Sequence, residues 1–262
     1  MLDRLIARWR AWQEARALRR HAIPDGLWLL TLARYPFLST LDDAEQAELR
    51  RLCALFLSAK EFHGAGGFVV SDEVAVAIAA QACLPILRLG LEAYAGFVGI
   101  VVHAGEVLAR REFMDEDGVV HRYEEVLAGE AMEGGPLMLA WSESSPDAQA
   151  GELPYNVVIH EFAHVLDMQN GAADGVPALA AGEREAWLDV LESEWQAFCD
   201  AVDAGVETLI DPYGAEAIEE FFAVAVEAFF VAPLALSLEQ PALYQLLRGY
   251  FHQDPAARLA RC

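Results

Sequence analysis

The sequence predicts a helix-rich α+β fold that contains one small, mostly antiparallel sheet. Before residue 85 and after residue 153, apolar residues recur at helical spacing over long segments. Between these parts, four short segments are rich in β-branched or alternating residues, and glycines separate them. The predicted strands cover residues 98–103, 106–113, 119–127 and 136–142.

The predicted helices are bounded by start and stop signals in the sequence. Residues 41–60 carry Asp42, Asp43 and Glu45 in the first turn, where negative charge favours a helix N-terminus. Ser71 opens an almost wholly apolar helix, which we expect to be buried. The remaining predicted helices cover residues 1–20, 154–170, 183–202, 215–230 and 242–251.

The 262-residue chain has a net charge of −23, which is unevenly distributed. Residues 1–20 contain six arginines against Asp3 and Glu14, a local charge of +4 that leaves −27 for the rest. Because an acidic body repels a phosphate backbone, we expect no direct nucleic-acid partner. We divide the chain into a basic amphipathic helical extension, residues 1–34, and one domain, residues 35–262. The extension is interpreted as a solvated helix packed on the domain, with a membrane-surface helix as the alternative.

The cysteines and the distribution of apolar residues indicate where in the cell the protein is located. Four cysteines without a Cys-x-x-Cys pair argue against a disulfide framework and a thiolate zinc site. The N-terminus shows no signal peptide, and no uncharged run approaches the ~20 residues of a membrane span. We therefore expect a cytoplasmic protein without a membrane span.

The segment "VVIHEFAHVLDMQNG" contains a His160-Glu161-x-x-His164 motif inside a predicted helix. A four-residue step places both histidines on one face, a turn apart, where they can bind one tetrahedral metal ion. Glu161 then lies where its carboxylate reaches a metal-bound water without binding the metal. The alternative is an ordinary helix whose histidines bind nothing, so a third ligand is needed to decide.

The third ligand distinguishes classes of zinc peptidase. One class has another histidine six residues after His164, but Asn170 occupies that position and excludes it. Another class takes a glutamate from a later helix, and "DPYGAEAIEEFFAVAVEAFF" offers several. Glu220 and Glu227 share one face of this mostly apolar helix, so one can bind metal while the other orients a histidine. A solvated acidic stripe is the alternative, and the spacing does not choose between the two glutamates.

From about residue 35 onward the chain resembles the Mlc titration factor A family of zincin-type zinc metallopeptidases. The segments that carry the resemblance, in family order, are "ACLPILRLGLEAYAGF", "GVVHRYEEVLAGEAMEGGPLMLAW", "NVVIHEFAHVLDMQNG", "DPYGAEAIEEFFAV" and "FHQDP". The resemblance implies a zincin-like metallopeptidase core, with the small sheet packed on the HExxH helix, and one zinc ion per chain.

Residue by residue, the resemblance implies His160, His164 and Glu220 as zinc ligands and Glu161 as the catalytic base. It chooses Glu220 over Glu227, which the spacing alone does not.

The resemblance implies roles for two further residues. His121, in "GVVHRY", matches a histidine tied to the metal, and it is a candidate fourth ligand that must swing away for substrate. Tyr213 matches a tyrosine near the zinc and is a candidate oxyanion donor. A packing tyrosine beside Pro212 is its alternative.

The predicted function is aminopeptidase-like hydrolysis of peptides by a zinc-activated water, with Glu161 as general base. We expect the strand edge around residues 136–141 to bind the substrate backbone. The alternative is a regulatory protein that binds an Mlc-like repressor of sugar-uptake genes, with peptidase activity secondary or absent. The resemblance implies that partner. One departure from the family is Gly214, where the family often has alanine.

Overall fold

A computed structural model of the chain describes residues 2–114, 120–132, 134–145 and 154–259. The side chains of residues 2–7, 10 and 109–126 also lie outside the described part. Within it, the fold is helix-rich with a small mixed sheet.

The N-terminal part is helical, and most of its helices were predicted. Asp42 starts one of them with a capping box, in which it accepts from the Glu45 backbone N–H at 2.8 Å while Glu45 accepts from the Asp42 N–H. Ser71 caps the next by accepting from the Val74 N–H at 3.3 Å. The helices are α1 (Leu2–Arg20), α2 (Asp25–Arg34), α3 (Asp43–Ala59) and α4 (Asp72–Cys83), of which α2 was not predicted.

The described strands form two separate sheets. They are β1 (Glu61–Gly64), β2 (Gly99–His103), β3 (Val107–Met114), β4 (Val120–Leu127), β5 (Gly129–Ala131) and β6 (Leu137–Ala140). The larger sheet has the order β1-β2-β6-β5. β1, β2 and β6 run parallel, and β5 pairs antiparallel with β6. β3 and β4 form an antiparallel pair of their own.

The prediction of one mostly antiparallel sheet was therefore wrong. It assumed that predicted strands next to each other in sequence pair as hairpins. Of the predicted strands, only β3 and β4 do so. β2 instead pairs with β1 after a crossover through α4, the kind of connection that parallel strands require. β1 was missed because its four residues are mostly exposed and show no apolar alternation.

The C-terminal half consists of helices, as predicted, with α5, α9 and α11 in addition; α5 begins at Trp141, where the predicted strand over residues 136–142 was too long. α6 contacts α4, α8, β5 and β6, so the sheet packs on the helix that carries the HExxH motif. α8 is buried from Phe221 to Phe230 and forms the centre of the apolar core. The helices are α5 (Trp141–Ser144), α6 (Val157–Asp167), α7 (Arg184–Asp203), α8 (Ile218–Val231), α9 (Pro233–Glu239), α10 (Pro241–Phe251) and α11 (Pro255–Leu259).

A search of the described helices finds none that is long and apolar enough to cross a bilayer.

Candidate metal centre

The N-terminus of α6 is fixed by Asn156. Its side-chain oxygen accepts from the Ile159 backbone N–H at 3.0 Å, and its amide donates to Gln81 of α4 at 2.9 Å. Because Val158, Ile159 and Phe162 are fully buried on the other sides of α6, the face with both motif histidines points towards α8.

Three predicted residues meet between α6 and α8. The Nε2 atoms of His160 and His164 lie 3.2 Å apart, and the Glu220 carboxylate oxygen lies 3.1 Å from the first and 3.3 Å from the second. One ligand atom from each of the three residues lies within 4.8 Å of the others. Two imidazole nitrogens and a carboxylate oxygen arranged in this way could hold a metal ion.

Glu227 contacts the opposite side of the His160 ring. Its carboxylate lies 2.8 Å from Nδ1 of His160 and also accepts the backbone N–H of Asn156. In the tautomer whose Nδ1–H donates to this carboxylate, the Nε2 lone pair is available to a metal ion on the side of the ring that faces Glu220. The spacing did not choose between Glu220 and Glu227, and the structure places them on different atoms of His160.

Glu161 is buried beneath β5, with only 5% of its surface exposed. A Cβ on Gly129 would lie 2.4 Å from Oε1 of Glu161, so only glycine leaves room for this carboxylate. The Ala131 backbone donates a hydrogen bond to it, and burial raises the pKa of Glu161 to about 6. Its buried Oε2 has no hydrogen-bond partner among the described residues.

The charges of the cluster favour a cation between the three residues. Burial works against charge on His160, but its contacts with Glu220 and Glu227 outweigh this and raise its pKa well above the ordinary value. Burial also opposes charge on Glu220, and its contacts with His160 and His164 nonetheless lower the pKa of Glu220 to about 2. The surroundings therefore stabilise a positive charge between the rings and the carboxylate, and a metal ion there would displace the ring proton, because histidine binds metal in its neutral form.

Two cavities meet at this cluster. One has a volume of about 230 Å³ and is lined by residues of α6 and α8 and of the segments before α6, before α8 and before β5. The other has a volume of about 290 Å³ and reaches Glu219 and Glu220. His160, Glu161 and Tyr213 line both cavities, so a ligand in either would contact the centre of the cluster.

Tyr213 lies in a short 3₁₀ turn, Pro212–Ala215, before α8. Its ring centroid is 6.1 Å from that of His160, and 42% of its surface is exposed. The Asp211 side chain accepts the Tyr213 backbone N–H at 2.9 Å, and Trp195 donates to the Gly214 carbonyl at 3.1 Å. A Cβ on Gly214 would lie 2.7 Å from a methyl group of Val224, so glycine lets this turn pack closely on α8.

His121 lies in β4 opposite Phe113, but its side chain is outside the described part. Its predicted contact with metal therefore stays a prediction.

Sequence reasoning missed two residues that position the site, Asn156 and Gly129. Asn156 was a recognisable signal, because asparagine directly before an apolar helix is a common N-cap. Nothing in the sequence around Gly129 indicates that glycine is needed there. The need arises from the Glu161 side chain, which is distant in sequence but packs against Gly129.

A comparison with protein families identifies the chain. The family model described as glucose-regulated metallo-peptidase M90 matches residues 9–252. The chain belongs to this family. The M90 match begins inside α1, whereas the resemblance described above extends from about residue 35 onward. The boundary between an extension and a domain at residue 35 stays a prediction.

Individual relatives are similar to this M90 chain over most of their length. An uncharacterized protein of Synechocystis sp. is 36% identical over 250 residues, which cover 94% of this chain and 90% of the relative. Mlc titration factor A of Cronobacter sakazakii is 35% identical, and 88% of each chain is covered. Mlc titration factor A of Escherichia fergusonii is 34% identical over 95% of this chain and 92% of its own.

Proposed function

We propose that this M90 metallopeptidase binds one zinc ion through His160, His164 and Glu220 and hydrolyses peptides. The observation that carries the proposal is the meeting of these three ligand atoms beside a buried carboxylate oxygen of Glu161 that has no partner among the described residues. Burial of such an atom is unfavourable unless a ligand satisfies it.

The residues of the cluster fit zinc. Two histidines and one glutamate are a common ligand set of catalytic zinc sites, which keep a further position for water or substrate. When bound there, zinc acidifies water and polarises a carbonyl group. Glu227 supports this assignment because it fixes the ring orientation of His160 from the side away from the proposed ion.

Glu161 is the proposed general base. Through Oε2 it accepts a proton from the attacking water, and it then returns that proton to the departing amine nitrogen. Tyr213 lines both cavities with Glu161, which supports a role as oxyanion donor. His121 is a proposed fourth ligand from the resemblance alone.

β5 is the proposed binding edge for the substrate backbone. The expectation that residues 136–141 supply this edge was wrong, because β6 lies between β2 and β5. β5 is the last strand of the described sheet and runs directly over Glu161, where an extended peptide can add to it. An HExxH helix beneath such an edge strand also supports the proposal of a zincin-like core.

We extend the proposal to aminopeptidase-like action on peptides. This extension rests on the resemblance to the Mlc titration factor A family.

The replacement Glu161→Gln tests the general base. It should abolish hydrolysis of short peptides and aminoacyl anilides, while zinc content and thermal stability stay near those of the parent. Activity would be followed beside Glu216→Gln, an exposed change just before α8 that should leave it intact. Full activity of the Glu161 variant would remove it from the base role.

A second candidate function is binding of the Mlc repressor. It rests on the name of the relatives, Mlc titration factor A, and on the net charge of −23, which suits a basic partner. Binding of purified Mlc by the parent and by a zinc-free His164→Ala variant, measured by calorimetry, tests it. Absence of binding by the metal-loaded parent would reject this function without affecting the peptidase proposal.

A further inference from the structure

One face of α1 is both aromatic and basic, and it points into solvent. Trp9 and Trp12 are 58% and 54% exposed. At the rotation of an α-helix, these rings and four arginines fall within an arc of roughly 120°. All six side chains are exposed, and we call this set the α1 face: Arg8, Trp9, Trp12, Arg16, Arg19 and Arg20.

The opposite side of α1 attaches it to the protein. Glu14 pairs with Arg51 of α3, which also pairs with Glu48 at 2.7 Å. Leu18, on the same side as Glu14, is half-buried. Among the described residues, no carboxylate lies within ion-pair distance of the arginines of the α1 face. The face is therefore held outward, and no described carboxylate neutralises its charge.

We propose that the α1 face binds the surface of an anionic phospholipid bilayer. Arginine is attracted to anionic head groups, and tryptophan is favoured in the layer where head groups meet acyl chains. The Arg16 guanidinium lies 5.6 Å from the centroid of the Trp12 ring, so a cation and an apolar ring are presented side by side.

The charge distribution favours a bilayer contact through this face alone. Residues 1–20 carry +4 and the remaining chain carries −27, so the acidic surface turns away from an anionic membrane while α1 turns towards it. Screening limits the repulsion to charges within about 10 Å of the membrane. Duplex nucleic acid and the acidic surface of a second copy would attract the arginines, but neither supplies a mixed polar and apolar layer for two indole rings.

Co-sedimentation of the full chain with lipid vesicles tests the proposal. We expect binding to phosphatidylcholine vesicles that contain phosphatidylglycerol, little binding to phosphatidylcholine alone, and weaker binding as salt is raised. The double variant R16Q/R19Q should lower the partition coefficient about 25-fold, since each arginine near the surface contributes about fivefold. The double variant W9A/W12A should also weaken binding and abolish the blue shift of tryptophan fluorescence on vesicle addition.

Matched controls lie elsewhere on the surface. Leu238 is 81% exposed and Arg184 is an exposed arginine at the start of α7, so L238S and R184Q should bind vesicles like the parent. Circular dichroism and peptidase activity should be unchanged in all variants, because none of these residues lies at the metal centre.

Three results would overturn the proposal. The first is no binding of the parent to anionic vesicles, and the second is unchanged binding of R16Q/R19Q. The third is binding of duplex DNA, or self-association sensitive to R16Q/R19Q, in place of vesicle binding, which would assign the face to those partners.

Discussion

At the scale of single residues, His160 is contacted by two carboxylates of one helix, each at a different ring nitrogen. Glu220 lies at Nε2 and Glu227 at Nδ1. In the sequence, both glutamates lie on one face of α8, seven residues apart. That spacing fits equally well whether Glu220 or Glu227 binds the metal. The crossing of α8 over α6 decides which carboxylate reaches which nitrogen, and crossing geometry is not encoded in the period of one helix.

Glu227→Gln should weaken zinc binding about 10- to 100-fold, in the range found for groups that orient metal ligands. The two donors, His160 Nδ1–H and Asn156 N–H, contact different oxygens of Glu227, and glutamine would place an NH₂ group, which cannot accept, at one of these positions. Competition with a chromophoric chelator would measure the affinity, with Glu216→Gln as the matched control. Zinc affinity equal to that of the parent would show that Glu227 does not position His160.

At the scale of elements, most helices and the positions of four strands were predictable from the sequence, whereas the pairing of the strands was not. α3, α4, α6 and α8 begin near capping signals or carry apolar periodicity that the sequence displays directly. The pairing of β1 with β2 and of β2 with β6 joins segments that are distant in the chain. Such partners are chosen by tertiary packing, about which short strand segments carry little information.

The approach of β5 to α6 provides a test at this scale. Gly129→Ala would place a methyl group against the Glu161 side chain, so either the carboxylate or the strand must shift. We expect peptidase activity to fall at least tenfold while zinc content stays near that of the parent, because a displacement of about 1 Å can cost 100-fold in rate. Gly26→Ala, where a Cβ meets nothing within 4 Å, is the control. Unchanged activity of Gly129→Ala would separate β5 from the placement of the base.

At the scale of the whole molecule, Lys60 connects the end of α3 to the segment before β2. Its ammonium donates to the carbonyls of Tyr94 and Phe97, both at 2.5 Å, and lies 3.7 Å from the Phe97 ring centroid. Burial lowers the pKa of Lys60 from 10.5 to about 8. The folded state therefore releases this proton at a lower pH than the unfolded state does.

The sign of the resulting pH dependence follows from linkage. Between pH 8 and 10.5 the unfolded chain binds more protons at Lys60, so the free energy of unfolding should rise with pH in this window. The rise is at most ~1.4 kcal/mol per pH unit. Urea unfolding of the parent and of Lys60→Met across these pH values isolates the effect. Identical pH profiles for the two proteins would contradict it.

The metal centre brings together residues from α6 and α8, and zinc content tests it most directly. Mass spectrometry of untagged protein, purified without added metal, should find about one zinc per chain in the parent. The variant His164→Ala, measured beside it, should hold little. A parent that remains free of zinc even after reconstitution, or a variant that retains a full equivalent, would contradict the assignment of His160, His164 and Glu220 as zinc ligands.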